Sequence, residues 1–382
     1  MNDDNSNAAQ IPDTPIPSSS PPATYEPAPS AFKFHGTWQE FAGIAFPNLL
    51  LTIVTLGIYR FWATTREREY LWSKTEFIDE RLEWAGRGIE LFIGFIMVLL
   101  LIGLPFAFLQ FGYIALSSRG YTAIAALLYT LSLFLIFYLT GVARFRAVRY
   151  RLSRTYWRGI RGGSHDPGAM FGLSYIWKTL AGYVPLFLMI PWSMMSLWNE
   201  RWNKMSFGPY QFSSNANWTD LMKRYLIAYL IPFVLVVGII ILLASNDFNE
   251  GAISNPSAIF TGFLIAYALL VVLSFYILLP LARLAFYSKF YRVAVGGLRL
   301  NDLEFEFKAR TPDWILFALA NFAIVIFTFG IGYIFMPYRN WTFFVKHLEV
   351  YGEVNLDQLT QSSTEISKHG EGLLDAFDVG AI

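Results

Sequence analysis

Residues 48–70 read NLLLTIVTLGIYRFWATTREREY. An apolar run, a Thr-x-Gly break, an aromatic girdle and a basic exit follow one another within these 23 residues. Apolar runs recur along the chain, several of them about 20 residues long, which is what a helix needs to cross a hydrocarbon core of roughly 30 Å. The chain has 382 residues, of which 55% are hydrophobic, 18% aromatic and only 15% charged. Soluble domains carry about 25% charged residues. The composition therefore points to a membrane protein. There is no cysteine, which excludes disulfides, thiolate chemistry and cysteine metal sites.

Upstream of this stretch, residues 1–31 hold seven prolines, four acids and no Lys or Arg. Such a segment buries too little apolar surface to offset its chain entropy, so a disordered tail without a signal-peptide pattern is expected. The alternation of Phe32 and Phe34 predicts a short extended segment. Apolar runs follow at 41–59, 90–116, 121–142, 171–198, 221–244, 258–281 and 314–336. The first contains Pro47 and Asn48, the fourth Lys178, Gly182, Pro185 and Pro191, and the last Asn321, Gly330 and Gly332. Leu303, Phe305 and Phe307 alternate with charged residues and give the clearest strand signal. A weaker one lies at 76–84. From 352 onward the chain is polar and acidic, and a second disordered tail is expected.

The quoted stretch has echoes. At an offset of 273, Phe32, Phe34, Ala45, Asn48, Ile53, Thr55, Gly57, Ile58 and Arg66 fall on identical residues, ending with Arg66 on Arg339. At an offset of 130, Trp62, Trp72, Lys74, Phe77 and Leu91 fall on Trp192, Trp202, Lys204, Phe207 and Leu221. Shared apolar bias accounts for the Ile and Ala matches but not for Phe-x-Phe, Thr-x-Gly and paired tryptophans in one register. The expected organisation is repeat 1 at 32–143, repeat 2 at 144–282 and a partial repeat 3 at 283–351. Glu90 and Asp220 stand where an acid favours a helix N-terminus.

Seven full spans conflict with the positive-inside rule. Lys plus Arg number six in 60–87, seven in 144–161 and six in 283–310, but one in 117–120 and none in 245–257. If 41–59, 171–198 and 314–336 dip in and return, every basic segment and both tails fall on the cytoplasmic side. The expected fold is thus an all-α polytopic membrane protein with short β segments at its cytoplasmic face. It has an internal repeat of two full units and a partial third, with four to seven membrane-spanning or re-entrant segments.

Phe34-His35-Gly36, Asn48-x-Leu50, Thr55-Leu56-Gly57-Ile58-Tyr59, Phe61-Trp62-Ala63, Arg66-x-Arg68, Tyr70, Gly86, Glu90-Leu91-Phe92 and Gly94 together resemble the YjgN family of bacterial inner-membrane proteins. The resemblance extends over most of 32–355, although the middle copy lacks the Thr-Leu-Gly pattern. It implies a bacterial inner-membrane location and brings no activity or catalytic residue.

No motif for an enzyme, a metal or a cofactor is present, and the four histidines are scattered. The chain is expected to be neither an enzyme nor a nucleic-acid binder. Polar groups inside apolar runs are functional candidates because burying them costs free energy. These are Asn48, Asn321, Lys178 and Gln110, with interhelical hydrogen bonding as the structural alternative. Arg60, Arg66, Arg68, Arg144, Arg151, Arg154, Arg158 and Arg339 are expected at the membrane interface, where snorkelling arginines and aromatics meet headgroups. Broken helices in internal repeats favour a small transporter or channel-like protein for an unidentified solute. The alternative is a non-catalytic scaffold interacting with membrane lipids, anionic headgroups among them.

Overall fold

A computed structural model describes residues 31–245, 258–354 and 359–365. The expectations for residues 1–30, for the loop at 246–257 and for residues 366–382 lie outside these. The Thr37 hydroxyl accepts the Glu40 N–H at 3.3 Å and so caps the first helix. In chain order the first elements are β1 (Phe32–Phe34), α1 (Trp38–Val54), α2 (Arg60–Ser73), β2 (Thr75–Phe77), β3 (Glu80–Arg81), β4 (Glu83–Trp84), α3 (Gly88–Val98), α4 (Leu104–Ser118) and α5 (Thr122–Arg154). Next come β5 (Thr155–Trp157), β6 (Ile160–Gly163), α6 (Ala169–Tyr183), α7 (Ile190–Trp202), β7 (Ser206–Phe207), β8 (Tyr210–Ser214), α8 (Thr219–Ser245), α9 (Ala258–Leu273) and α10 (Leu279–Gly296). The last are β9 (Leu298–Leu300), β10 (Leu303–Phe307), α11 (Thr311–Phe327), α12 (Met336–His347) and β11 (Leu348–Tyr351).

The strands overturn the all-α expectation. β4 to β11 form one curled, eight-stranded antiparallel sheet in chain order, and β1, β2 and β3 form a second. Only Leu82 separates β3 from β4, and its N–H donates to the Thr75 carbonyl at 2.9 Å. The strands are two to five residues long. Alternation is legible over four to eight residues, so most of the sheet leaves no pattern in the sequence. β10 is the clearest of the expected strands, pairing Phe305 with Val350 and Phe307 with Leu348 of β11, and the extended segments expected at 32–34 and 76–84 are β1 and β2 to β4.

The count of four to seven spans also falls. Among the described residues two helices are long and apolar enough to cross a membrane: α5, and Tyr267–Gly296, which runs from α9 into α10. Turns or π-helical breaks interrupt 41–59, 90–116, 171–198 and 314–336, whereas 221–244 lies in the continuous α8, which holds Pro232. In 90–116, α3 passes through a π-helical turn at Leu99–Gly103 before α4, whose first turn holds Pro105. Proline has no N–H for the carbonyl four residues back, and the ladder slips to a wider turn ahead of it. The same happens at Ser274–Leu278 ahead of Pro280.

The three broken runs become helix–turn–helix hairpins: α1 with α2, α6 with α7, and α11 with α12. In the first turn Leu56 and Gly57 have φ of 52° and 91°, and in the third Phe329 and Gly330 have 52° and 89°. The hydrogen bonds also match. Thr55 Oγ1 donates to the Leu51 carbonyl at 2.7 Å and accepts the Tyr59 N–H at 2.9 Å, while Gly57 N–H reaches the Thr52 carbonyl at 2.7 Å. Thr328 Oγ1 donates to the Ile324 carbonyl at 2.6 Å and accepts the Gly332 N–H at 2.7 Å, while Gly330 N–H reaches the Val325 carbonyl at 2.7 Å. Thr-x-Gly is therefore a helix-ending turn: Gly supplies the left-handed φ and Thr satisfies backbone groups on both sides. The turn residues Leu56 and Phe329 are 94% and 97% exposed.

The buried core lies where helix bases meet the sheet. One cluster joins Phe41, Phe61, Trp72, Trp84, Leu91, Tyr150 and Trp157, and another joins Phe145, Phe171, Met205, Phe212, Leu298, Leu300 and Leu303. Trp341 stacks on Trp72 at 4.0 Å and donates Nε1–H to Thr75 Oγ1 at 2.8 Å, tying the third hairpin to the first.

Candidate functional site

Three of the four intramembrane candidates do one job. Asn48 is buried on α1 and donates Nδ2–H to the Ala63 carbonyl of α2 at 3.3 Å, with Glu67 Oε1 at 3.5 Å. Lys178 of α6 pairs with Glu200 of α7 at 2.6 Å. Asn321 of α11 accepts from Arg339 Nε of α12 at 2.5 Å. Positions 178 and 321 also lie at the repeat offsets of 130 and 273 from Asn48. Each polar group thus ties the two arms of its own hairpin, and Asn48 and Asn321 do not meet. The fourth candidate, Gln110, donates to Ser132 Oγ at 3.2 Å and links α4 to α5.

The interfacial arginines divide. Arg68 and Arg154, expected at the lipid interface, are buried. Arg68 lies 5.1 Å over the Trp84 ring. Arg154 Nε bonds Glu90 Oε2 at 2.9 Å, and Tyr150 donates to the same oxygen at 3.2 Å. Glu90, in the first turn of α3, therefore holds the end of α5 besides favouring its own N-terminus. Arg158 pairs with Asp79 and Glu80 beside the strands, and Arg339 is taken by Asn321. Arg151 is half-buried, and Arg60 is exposed. Arg66 is exposed and lies 5.7 Å from the Tyr59 ring. Arg144 is exposed and lies 5.3 Å over the Tyr175 ring.

Arg144 opens onto a large cleft. A cavity of about 940 Å³ lies between the α5–α7 side and α8 with α10. Tyr175, Tyr183, Tyr225, Tyr229 and Tyr287 line it with Phe187, Phe233 and Phe286, and Arg144 and Arg283 supply its charge. It continues into an annex of about 260 Å³, which shares Arg144, Tyr175, Met194, Leu197 and Tyr287 with it and ends on Trp198 and Arg201. Together they form one cleft running from the α6–α7 turn down toward the sheet.

Arg201 is the unusual group. It is 8% exposed, yet its Nε–H finds no acceptor among the described residues. Its one contact of note is the Trp198 ring, 5.5 Å away. The adjacent acid, Glu200, is held by Lys178 at 2.6 Å and lies 3.8 Å from Lys204. Burial pushes the Arg201 guanidinium down to about 10, and repulsion from Arg144 and Arg151 adds to the effect, so it stays charged at neutral pH. Burying one ion costs several kcal/mol, whereas a cation–π contact returns about 0.5–2 kcal/mol. The site as it stands is short of negative charge.

The sequence matches a family of bacterial proteins of unknown function, DUF898, over residues 29–376. The chain belongs to this family. Among its relatives, Inner membrane protein YjgN of Escherichia coli (strain K12) is 23% identical over 247 residues, covering 55% of this chain and 59% of that protein. YjgN of Escherichia coli O157:H7 is 30% identical over 131 residues, covering 34% and 30%. YjgN of Salmonella typhimurium is 22% identical over 357 residues, covering 86% and 90%. The match thus spans less than two thirds of either Escherichia coli relative. No solved structure matches. The YjgN resemblance read from residues 34–94 is confirmed, and with it a place in the bacterial inner membrane.

Within this family member, Arg201 escaped the sequence reading. It sits in a basic exit much like the others, Trp198-Asn199-Glu200-Arg201-Trp202. The one available signal was its spacing from Trp198, three residues away on a helix and hence on the same face.

Proposed function

We propose that this protein is a small, non-catalytic transporter of the inner membrane, with its solute site in the cleft between α5–α7 and α8 with α10. The cavity of about 940 Å³ carries this reading. Pockets for small molecules run from about 300 to 1,000 Å³ and combine apolar walls with a few polar groups. Here the walls are aromatic, and the polar groups are tyrosine hydroxyls and two arginines. The matching turns, and the polar ties at 48, 178 and 321, support three copies of one hairpin unit in a multi-pass chain. Repeats of this kind recur among transporters.

Purified protein in liposomes should release or take up at least one solute from a panel of sugars, amino acids, carboxylates and inorganic ions. Ala228→Trp, which fills the cleft from the α8 wall, should abolish that flux while the circular dichroism spectrum stays unchanged. A wild-type protein that moves nothing, with or without a membrane potential, overturns transport. A lipid-interacting scaffold is the second reading, favoured by Arg66 against Tyr59 and Arg144 against Tyr175 on the exposed surface.

A further inference from the structure

The cleft has two unlike ends. At the annex end, Arg201 is buried and its Nε–H has no acceptor among the described residues. Arg144 lines the same annex, and Arg283 lines the larger cavity beside it. Neither has a carboxylate partner among the described ion pairs. At the other end the walls are apolar and open outward, with Phe187 and Phe233 51% and 58% exposed. A guanidinium with five N–H donors and no acceptor calls for an oxyanion, and the fork matches phosphate oxygens two at a time. Arg201 lines the annex, so an oxyanion entering the cleft can reach its guanidinium. The apolar walls call for something attached to the anion that is itself apolar.

We propose that the cleft binds an anionic phospholipid, its phosphate on Arg201 and Arg144 and its acyl chain along the Phe187 and Phe233 walls. The inference rests on the cleft being the ligand site and names the ligand's chemistry. It concerns binding, not movement. A protein that binds the lipid and moves no solute satisfies it while failing the flux assay above.

The test uses the full chain in a neutral detergent, with phosphatidylglycerol, phosphatidylcholine or inorganic phosphate added separately. Binding is read by native mass spectrometry and by the shift in melting temperature. Phosphatidylglycerol should bind and raise the melting temperature, whereas phosphatidylcholine should do neither. Arg201→Met should weaken phosphatidylglycerol binding by about 10- to 100-fold, the range for losing charge-assisted hydrogen bonds. Without lipid it should melt no lower than wild type, because it removes an uncompensated buried charge. A merely structural Arg201 gives the opposite pair of results, a lower melting temperature without lipid and unchanged lipid binding, and that overturns the proposal. If Arg201→Met does not fold, Arg144→Gln on the exposed rim tests the same site and should weaken binding several-fold. Inorganic phosphate reproducing the full shift at millimolar concentration overturns the lipid and leaves a free-phosphate site.

Discussion

At the scale of single residues, the polar groups inside apolar runs turn out to be ties between helix arms. Lys178 and Glu200 are both mostly buried, at 13% and 20% side-chain exposure. Lys178→Met leaves Glu200 with Lys204 alone and should cost roughly 1–2 kcal/mol, less than the loss of a fully buried pair because some solvent and a second lysine remain. Thermal unfolding in detergent checks this, and Lys178→Met with Glu200→Met should recover most of the loss. At the sheet margin the ammonium of Lys308 and the hydroxyl of Tyr351 hold the Glu349 carboxyl below its ordinary value. A depressed carboxylate contributes stability above its unfolded value and loses it as pH falls through the folded one. Wild type should therefore lose its small advantage over Glu349→Gln in melting temperature as pH drops below about 4. An advantage that grows with acid would contradict the assignment. The sequence shows that Asn48, Lys178 and Asn321 are costly to bury, but not their partners. Glu200 and Arg339 lie 22 and 18 residues away across a turn, and no local pattern marks them.

At the scale of elements, the turns were legible, as were β1, β10 and the extended stretch at 76–84, while β5 to β9 and β11 were not. Thr55-Leu56-Gly57 and Thr328-Phe329-Gly330 stand out because only glycine adopts φ near +90° without strain. Nothing lies within 4 Å of a Cβ built on Gly57 or Gly330, so the cost of a side chain there is conformational alone. Gly57→Ala and Gly330→Ala should each destabilise by about 1–3 kcal/mol. Gly43, inside α1 with equally open surroundings, should behave in the opposite way. Gly43→Ala should stabilise by about 0.5–1 kcal/mol, since a helical φ suits alanine and the unfolded chain loses freedom. Melting curves of the three variants decide this, and equal signs at positions 43 and 57 would refute the left-handed turn. The sheet was hidden for a different reason. A two-residue strand such as β7 has no period to detect, and its stability comes from neighbours in the band.

At the scale of the molecule, α5 shows how membrane and sheet divide the chain. Its 33 residues at 1.5 Å each make about 50 Å, well beyond the hydrocarbon core of about 30 Å. Its surface changes partway along. Ile124, Leu127 and Leu131 are 55%, 60% and 55% exposed, whereas Phe145, Ala147 and Tyr150 are no more than 3% exposed. The early part is apolar and exposed, and the late part packs against the sheet base through Phe145 and Val148 and is tied to α3 by the Arg154–Glu90 bond. From the positive-inside rule we infer that the basic end and the sheet face the cytoplasm. Because the chain has no cysteine, single cysteines report topology without background. Ser118→Cys, at the end of α4, should react with a membrane-impermeant maleimide from the periplasmic side only. Glu304→Cys, exposed on β10, should react only after the membrane is opened. Both reacting from one side would mean that α5 does not cross, and the cleft would then lie at the membrane surface instead of within it.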